Sequence, residues 1–126
     1  MANGNISVIK IKDILLVTVP SDPDDMTVSQ LQEQVLYAME RHSARGLILD
    51  ISTVETIDSF FARTVSETVK MVALMGGLTV LTGMRACVAV TTTQLGLSLD
   101  KTLTALDVDR AMEMLATALD NTEGRT

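Results

Sequence analysis

Short apolar runs alternate along this chain with longer segments in which apolar residues recur at helical spacing, and this alternation limits the folds it can adopt. Residues 5–19 are rich in Ile and Val but are interrupted at Lys12 and Asp13, which predicts two strands joined by a tight turn. Three later apolar runs are strand-sized and follow helical segments: Gly46–Ile51, Leu78–Thr82 and Thr102–Leu106. Because strands joined through helices pair in parallel, we expect an α/β fold with a mixed, mostly parallel five-stranded sheet, opened by a β-hairpin and packed with about four helices.

Turn and capping residues set the expected bounds of the first two helices. The first helix follows an acidic loop and is predicted to end near Arg45 and Gly46, since glycine commonly ends a helix. The second helix is predicted to begin at Asp58 or Ser59, either of which is a good N-cap, and to run to about Met75. Its start therefore lies beyond the carboxyl end of a central strand, where functional residues gather in parallel sheets.

The last third of the chain predicts two further helices. One is expected over Arg85–Leu95, ending at Gly96, with Cys87 buried on its apolar face. The other is capped by Asp107, and residues 120–126 are expected to form a frayed tail.

The length, charge and cysteine content of the chain predict a single domain and argue against several classes of protein. With 126 residues and no repeat or linker-like stretch, the chain is expected to form one domain over residues 1–126, with its core at about 5–119. A net charge of −6 with scattered Lys and Arg argues against nucleic-acid binding. The apolar runs are too short to span a membrane and no secretory signal is recognisable, so we expect no membrane association and a cytoplasmic location. One Cys and one His exclude an internal disulfide and are too few for a structural zinc site, so no metal or cofactor is predicted.

The available side chains do not indicate catalytic chemistry. His42, the sole imidazole, is predicted at one end of a strand whose other end leads to Ser59, which separates the two side chains by about 20 Å. Proton transfer between them would need a separation of about 3 Å. The glycines at 76, 77 and 83 fit no phosphate-binding motif and are better explained as a helix stop and a turn. We therefore expect a protein that is not an enzyme.

Asp50 supports one alternative hypothesis. It closes a central strand, as the phosphoacceptor of a receiver domain does, and Asp24 and Asp25 are available as an acidic pair. Against this, no Lys follows the last predicted strand, where Asp107 stands, and the chain opens with a hairpin in place of a β-α-β unit. A receiver-like domain phosphorylated on Asp50 stays open as an alternative.

The segment Ile57–Arg63 carries the most functional information. Phe61 begins an apolar stripe that should be buried, whereas Ser59 and Arg63 lie on a polar stripe and Phe60 lies beside it, half exposed. A phosphate on Ser59 would add about −1.5 to −2 charge at a helix start, where the dipole favours an anion and Arg63 is one turn away. The simpler interpretation is that Ser59 only caps its helix, and the residue pattern alone leaves both open.

Several of these segments together resemble the STAS domain of anti-sigma-factor antagonists, over about residues 5–119. Besides the opening hairpin, the resemblance rests on Leu47–Ile51, Asp58-Ser59, Gly83-Met84, Val88-Ala89, Thr91 and Leu95-Gly96-Leu97. The helix start, with Asp58-Ser59-Phe60 followed by Arg63, is similar to the D-S-F-x-G-R pattern of single-domain stressosome scaffold proteins. Ala62 stands where that pattern has glycine, a small-for-small change that should stiffen the turn without blocking the surface.

The resemblance implies a regulatory scaffold protein in a stressosome-type signalling complex. In that family the unphosphorylated protein holds a switch serine/threonine kinase, and phosphorylation at the position of Ser59 releases the kinase to activate a downstream stress or sigma-factor pathway. A PP2C-type phosphatase reverses the modification. The complex is built by self-association and with a paralogous STAS protein that has an N-terminal sensor domain. The resemblance to the STAS domain covers nearly the whole chain and includes no sensor domain. We therefore expect this chain to be the scaffold and not the receiver of the signal.

The resemblance also implies a partner-binding surface around Ser59. Its expected members are Asp58, Phe60, Arg63, Met84 and Arg85. Ala86 follows them at a position where these scaffold proteins often carry proline. A small-ligand-binding STAS module, like those attached to anion transporters, is the remaining alternative, and the lack of a membrane segment argues against it.

Overall fold

The computed structural model describes residues 6–95 and 102–123, and within them strands and helices alternate in the predicted order. The strands are β1 (Ser7–Ile11), β2 (Ile14–Thr18), β3 (Gly46–Asp50), β4 (Leu78–Thr82) and β5 (Leu103–Ala105). The helices are α1 (Asp25–Arg41), α2 (Ser59–Leu74), α3 (Ala86–Gln94) and α4 (Val108–Glu123).

The strands form one sheet in the order β1-β2-β3-β4-β5. β1 and β2 pair as an antiparallel hairpin, with Ile11 opposite Ile14. Lys12 in the turn has a φ of +56°, the left-handed backbone that tight hairpin turns require. The other three pairings are parallel, which the helical connections impose. The predicted α/β fold, with a mixed and mostly parallel five-stranded sheet and four helices, is confirmed.

Two hydrophobic clusters cover the two faces of the sheet. The larger joins α1 and α2 to residues such as Leu15, Leu47 and Leu81, and the smaller joins α4, through Ala111 and Leu115, to the opposite face. β3 is apolar and buried up to its last residue, Asp50, because both of its faces are covered. Since α1, α2 and α3 each follow a strand that runs in the same direction, all three begin at the carboxyl edge of the sheet.

The end of α1 differs from the prediction. The helix ends at Arg41, His42 forms its C-cap, and Ser43 takes a φ of +49°. Gly46 is not the stop but the first residue of β3, and a Cβ added there would lie 3.1 Å from the side chain of Leu115. This glycine is therefore explained by the close packing of α4 on the sheet.

Cys87 also differs from the prediction, since it is exposed. The reason is that Val88 is the sole residue α3 buries, so little of this helix turns inward. The Cys87 thiol instead donates to the carbonyl oxygen of Glu55 at 3.3 Å.

The remaining predicted bounds concern the ends of α3 and α4. The predicted stop at Gly96 lies outside the described residues. α4 continues to Glu123, beyond the point where a frayed tail was expected, and residues 124–126 lie outside the described part of the chain. No helix within the described ranges is both long and apolar enough to cross a membrane.

Candidate functional site

The loops that follow β3 and β4 are in direct contact at the carboxyl edge of the sheet. Gly83 has a φ of +76°, a left-handed backbone conformation that favours glycine. A Cβ added there would also lie only 2.6 Å from the Cβ of Ser52, so the close approach of the two loops requires a residue without a side chain. Arg85 reinforces the contact, because its Nε donates to the Ser52 carbonyl oxygen at 3.0 Å and its guanidinium pairs with the Glu55 carboxylate at 3.5 Å. The loop 83–85 is thereby fixed against the loop that leads to α2.

Ser59 is the first residue of α2, and Asp58, not Ser59, is the N-cap. The Asp58 Oδ1 accepts a hydrogen bond from the Phe61 backbone N–H at 2.8 Å. The Ser59 side chain is exposed, and its hydroxyl has no hydrogen-bond partner among the described residues. The sequence left the capping role open between the two residues, and the structure assigns it to Asp58. The Ser59 hydroxyl is therefore not part of the cap.

The first turn of α2 separates buried from exposed side chains as its spacing predicts. Phe61 and Ala62 are buried and, together with Met84, line an apolar cavity of about 20 Å³. Phe60 is half-buried, with one side packed on the larger core cluster. Arg63 is exposed, and residues four apart on a helix are neighbours on its surface, so Arg63 lies above Ser59. The change from glycine to Ala62 thus falls beneath the surface and leaves the exposed face open.

The groups around Ser59 include two that would stabilise an added anion and one that would oppose it. The helix start provides partial positive charge, and the first turn of α2 contains no acidic residue. Arg63 forms no ion pair with any residue in the described ranges, so its guanidinium is available. Asp58 is the opposing charge, although its Oδ1 is engaged in the cap.

Asp50 and Asp24 do not form the acidic pocket of a receiver domain. The Asp50 Oδ1 accepts from the Ser52 N–H at 3.0 Å and from the Thr82 hydroxyl at 3.5 Å. Asp24 is the N-cap of α1, and the hydrogen bond from the Thr27 N–H at 2.8 Å lowers the pKa of its carboxyl. In the part of the chain that the structure describes, no three His, Cys, Asp or Glu side chains are grouped to hold a metal ion.

Two residues of this edge were missed by reasoning from the sequence. Ser52 and Glu55 lie in what was treated as plain loop, yet they receive the contacts of Gly83, Arg85 and Cys87. The glycine at 83 was the available signal, since a glycine after a strand can mark a close backbone approach. His42, in contrast, lies where the sequence placed it, at the end of α1 and at the sheet edge opposite Ser59.

This fold and site define the class of protein. The family model of the STAS domain matches residues 5–111, and the chain belongs to the STAS family. Its solved structural relatives include the RsbS protein of Moorella thermoacetica with a serine-to-glutamate substitution, at 30% identity and a TM-score of 0.82. That match covers 91% of this chain and 97% of the other.

Two further structures are similar. A chain from the molecular architecture of the stressosome, a signal integration and transduction hub, is 30% identical with a TM-score of 0.76, and the match covers 90% of this chain and 98% of that one. The Bacillus cell fate determinant SpoIIAA in its phosphorylated form is 13% identical with a TM-score of 0.66, over 87% of this chain and 98% of that one, which shows the shared fold alone. A search of curated proteins found no match.

Proposed function

We propose that this chain is a cytoplasmic, non-enzymatic scaffold protein of a stressosome-type complex, regulated by phosphorylation of Ser59. Unphosphorylated, it binds and sequesters a switch serine/threonine kinase. Phosphorylation releases the kinase to activate a downstream stress or sigma-factor pathway, and a PP2C-type phosphatase resets the protein. The remaining partners are further copies of the chain and a paralogous STAS protein with an N-terminal sensor domain. Similarity to RsbS and to a stressosome chain, at 30% identity and nearly full coverage, supports the stressosome role.

The observation that carries the proposal is the exposed and unbonded hydroxyl of Ser59 at the start of α2. Because Asp58 makes the capping bond, a kinase can modify Ser59 without breaking a hydrogen bond of the fold.

Phosphorylation would reverse the local charge without refolding the helix. The phosphate brings about −1.5 to −2 charge, and the N-terminus of α2 and the Arg63 guanidinium both stabilise an anion at this place. The seven buried side chains of α2 hold the helix in position whatever the state of Ser59. The expected change is therefore a change of surface potential, which a docked partner would meet directly.

We call the exposed residues Ser59 and Arg63, together with the half-buried Phe60 and Met84, the switch surface. A half-buried aromatic ring beside an arginine is the composition of a protein-binding hot spot. Phe60 and Arg63 are the proposed direct contacts for the kinase. Met84 is half-buried and borders the same helix through the cavity it shares with Phe61.

Asp58 and Arg85 also belong to the proposed partner-binding surface, because they lie beside the switch surface. Each side chain is committed within the chain, Asp58 to the α2 cap and Arg85 to Ser52 and Glu55, and both are still exposed to a partner. A cytoplasmic location agrees with the single exposed thiol of Cys87, since a reducing compartment keeps such a thiol from forming disulfides.

The proposal is tested by adding the cognate kinase and ATP to the immobilised protein, and by reading both the intact mass and the kinase retained. Wild type should gain one phosphate and release the kinase, whereas Ser59→Ala should gain none and keep it. Ser52→Ala is the matched control, because Ser52 is an exposed serine at the same sheet edge and should behave as wild type. A phosphate that persists on Ser59→Ala, or one that hydroxylamine removes as it would an aspartyl phosphate on Asp50, would contradict the proposal.

A further inference from the structure

β1 forms one outer edge of the sheet. It pairs with β2 alone, and no other strand of the described residues lies beside it. A strand with a single neighbour uses its backbone N–H and C=O groups at every second residue, and those at the other positions point outward without a strand partner. Ser7–Ile11, which we call the β1 edge, therefore offers five residues of open edge, whereas β5 at the opposite side of the sheet has three.

The charge of the β1 edge is opposite to that of the whole chain. The chain has a net charge of −6, yet residues 1–12 include Lys10 and Lys12 and no acidic residue. Both lysines are exposed, and neither forms an ion pair with a residue in the described ranges. The acidic residue that follows them, Asp13, pairs with Arg45 at 3.7 Å. This side of the molecule therefore keeps two positive charges that the fold does not neutralise.

The two faces of β1 differ in chemistry. Lys10 is opposite Leu15, so its side chain lies on the face of the sheet that α1 and α2 cover. Ile9 is opposite Leu16, on the face that α4 covers, and Ile11 shares that face. α4 packs mainly on β3, β4 and β5, and Ile9 is left 50% exposed. The β1 edge thus presents a positive charge on one face and apolar side chains on the other.

We propose that the β1 edge binds an extended segment of another protein, in which acidic and apolar residues alternate. Residues directly opposite each other on paired strands share a face. An acidic side chain would therefore lie against Lys10, while its two neighbours in the segment lie against Ile9 and Ile11. Backbone hydrogen bonds to the open edge provide affinity, and the alternating side chains decide which segment binds.

The local charges argue against a second copy of this chain as the occupant. Antiparallel pairing of two β1 edges would bring the lysines of both copies onto one face of the joined sheet, and edge lysines are a common protection against such pairing. The densest acidic stretch of the chain, residues 22–25, is interrupted by Pro23, and Asp24 in it is the N-cap of α1. That stretch cannot serve as the added strand, so the segment belongs to a different protein.

The β1 edge is separate from the switch surface. β2 lies between β1 and β3, and it is the loop after β3 that leads to Ser59. A segment bound to β1 therefore leaves the phosphoacceptor accessible. The β1 edge goes beyond the proposed function and does not depend on phosphorylation, and its test needs no kinase.

The experiment is a titration of the isotope-labelled full chain, at low salt, with a capped peptide in which glutamate and valine alternate. The peptide has about seven residues, within the usual length of a strand, and is added up to about 5 mM so that weak binding is populated. The largest changes in backbone amide shifts should fall on Ser7–Ile11. A peptide of the same composition with its glutamates contiguous should bind more weakly, because it cannot match both faces of β1.

Lys10→Glu should weaken binding of the alternating peptide roughly three- to tenfold, because an attractive cross-strand pair becomes a repulsive one. The matched control is Lys70→Glu, which makes the same change in net charge at an exposed lysine of α2 and should bind as wild type does. Lys10→Glu should in turn bind a peptide of alternating lysine and valine more tightly than wild type does. This reversal would not follow from a purely structural role of Lys10.

Both altered lysines are exposed, so the far-UV spectra and melting temperatures of the variants should match wild type. Shifts that fall mainly outside β1 and β2, or no shifts at the highest peptide concentration, would overturn the inference. So would equal binding of the peptide with contiguous glutamates, or an equal loss of affinity in Lys70→Glu. If the shifts of β1 appear when the chain alone is concentrated, the edge pairs with a second copy and the inference is wrong.

Discussion

α2 and α3 begin at the same edge of the sheet, but they are held in place by different means. α2 has 16 residues, a side-chain cap from Asp58 and seven buried side chains. α3 has nine residues, its N-cap Arg85 provides no side-chain capping bond, and it buries Val88 alone. Further contacts hold the start of α3 and the loop before it against the loop that leads to α2, through Gly83, Arg85 and Cys87.

The difference shows how a small domain can present two kinds of surface at one edge. Most of the stability of a protein helix comes from the burial of its apolar face, so α2 is a fixed platform for the exposed side chains of its first turn. α3 is anchored at one end, buries Val88 alone and leaves Val90 56% exposed, so fewer apolar contacts hold it in place. Three changes test this contrast, and we give them from the largest expected effect to the smallest.

Gly83→Ala should have the largest effect, because it breaks the contact on which α3 depends. Left-handed strain and overpacking against Ser52 together should lower the free energy of unfolding by about 2–4 kcal/mol, as measured by urea denaturation. Gly76→Ala is the matched control, since Gly76 has a similar φ of +88° with no atom within 4 Å of the added Cβ. The control should lose only roughly 1–2 kcal/mol, the cost of strain alone. Equal losses in the two variants would show that the close approach at Gly83 contributes nothing.

Asp58→Ala should have an intermediate effect, because it removes the cap from α2. We expect the free energy of unfolding to fall by about 1 kcal/mol, with Asp58→Asn close to wild type since asparagine caps as well as aspartate does. Ser59→Ala should change it by less than about 0.5 kcal/mol, because Ser59 makes no hydrogen bond within the described residues. If Ser59→Ala were as destabilising as Asp58→Ala, the capping role would belong to Ser59 and the proposal that its hydroxyl is free would be wrong.

Ala86→Pro should have the smallest effect, and it should be stabilising. Ala86 is the first residue of α3, where proline is favoured, and Arg85 before it has the extended backbone that proline requires, with φ −75° and ψ 154°. We expect a gain of roughly 0.4–1 kcal/mol from the stiffer unfolded chain. Ala89→Pro is the control, because the Ala89 N–H donates to the Arg85 carbonyl oxygen at 2.9 Å and proline there should cost about 3 kcal/mol. A loss of stability in Ala86→Pro would mean that α3 does not begin where the structure places it.

The sequence predicted the order of the elements because their apolar periods differ so clearly, and it predicted the buried stripe of α2 for the same reason. Phe61, Val65, Val69 and Val72 are all buried as expected. Contacts between segments distant in the chain could not be read in the same way. Gly46 was taken for a helix stop because the sequence does not show that Leu115 packs against it.

The candidate site was predicted in part. The exposed positions of Ser59 and Arg63 followed from helical spacing, since both lie on the polar stripe of α2. The spacing could not distinguish Asp58 from Ser59 as the cap, because either residue type suits that position. Nor could it show that Cys87 is exposed, since this depends on how little of α3 the sheet covers.

The cap formed by Asp58 has a consequence for how such a protein can change over generations. Because the cap of α2 depends on residue 58, residue 59 is constrained, under the proposed function, only by the enzymes that act on it. Threonine or an acidic residue at this position would therefore cost the fold little free energy, since the Ser59 side chain makes no hydrogen bond within the described residues. Asp58 thus caps the helix, while the residue beside it can change without loss of the fold. The regulation of the protein can therefore diverge faster than its structure.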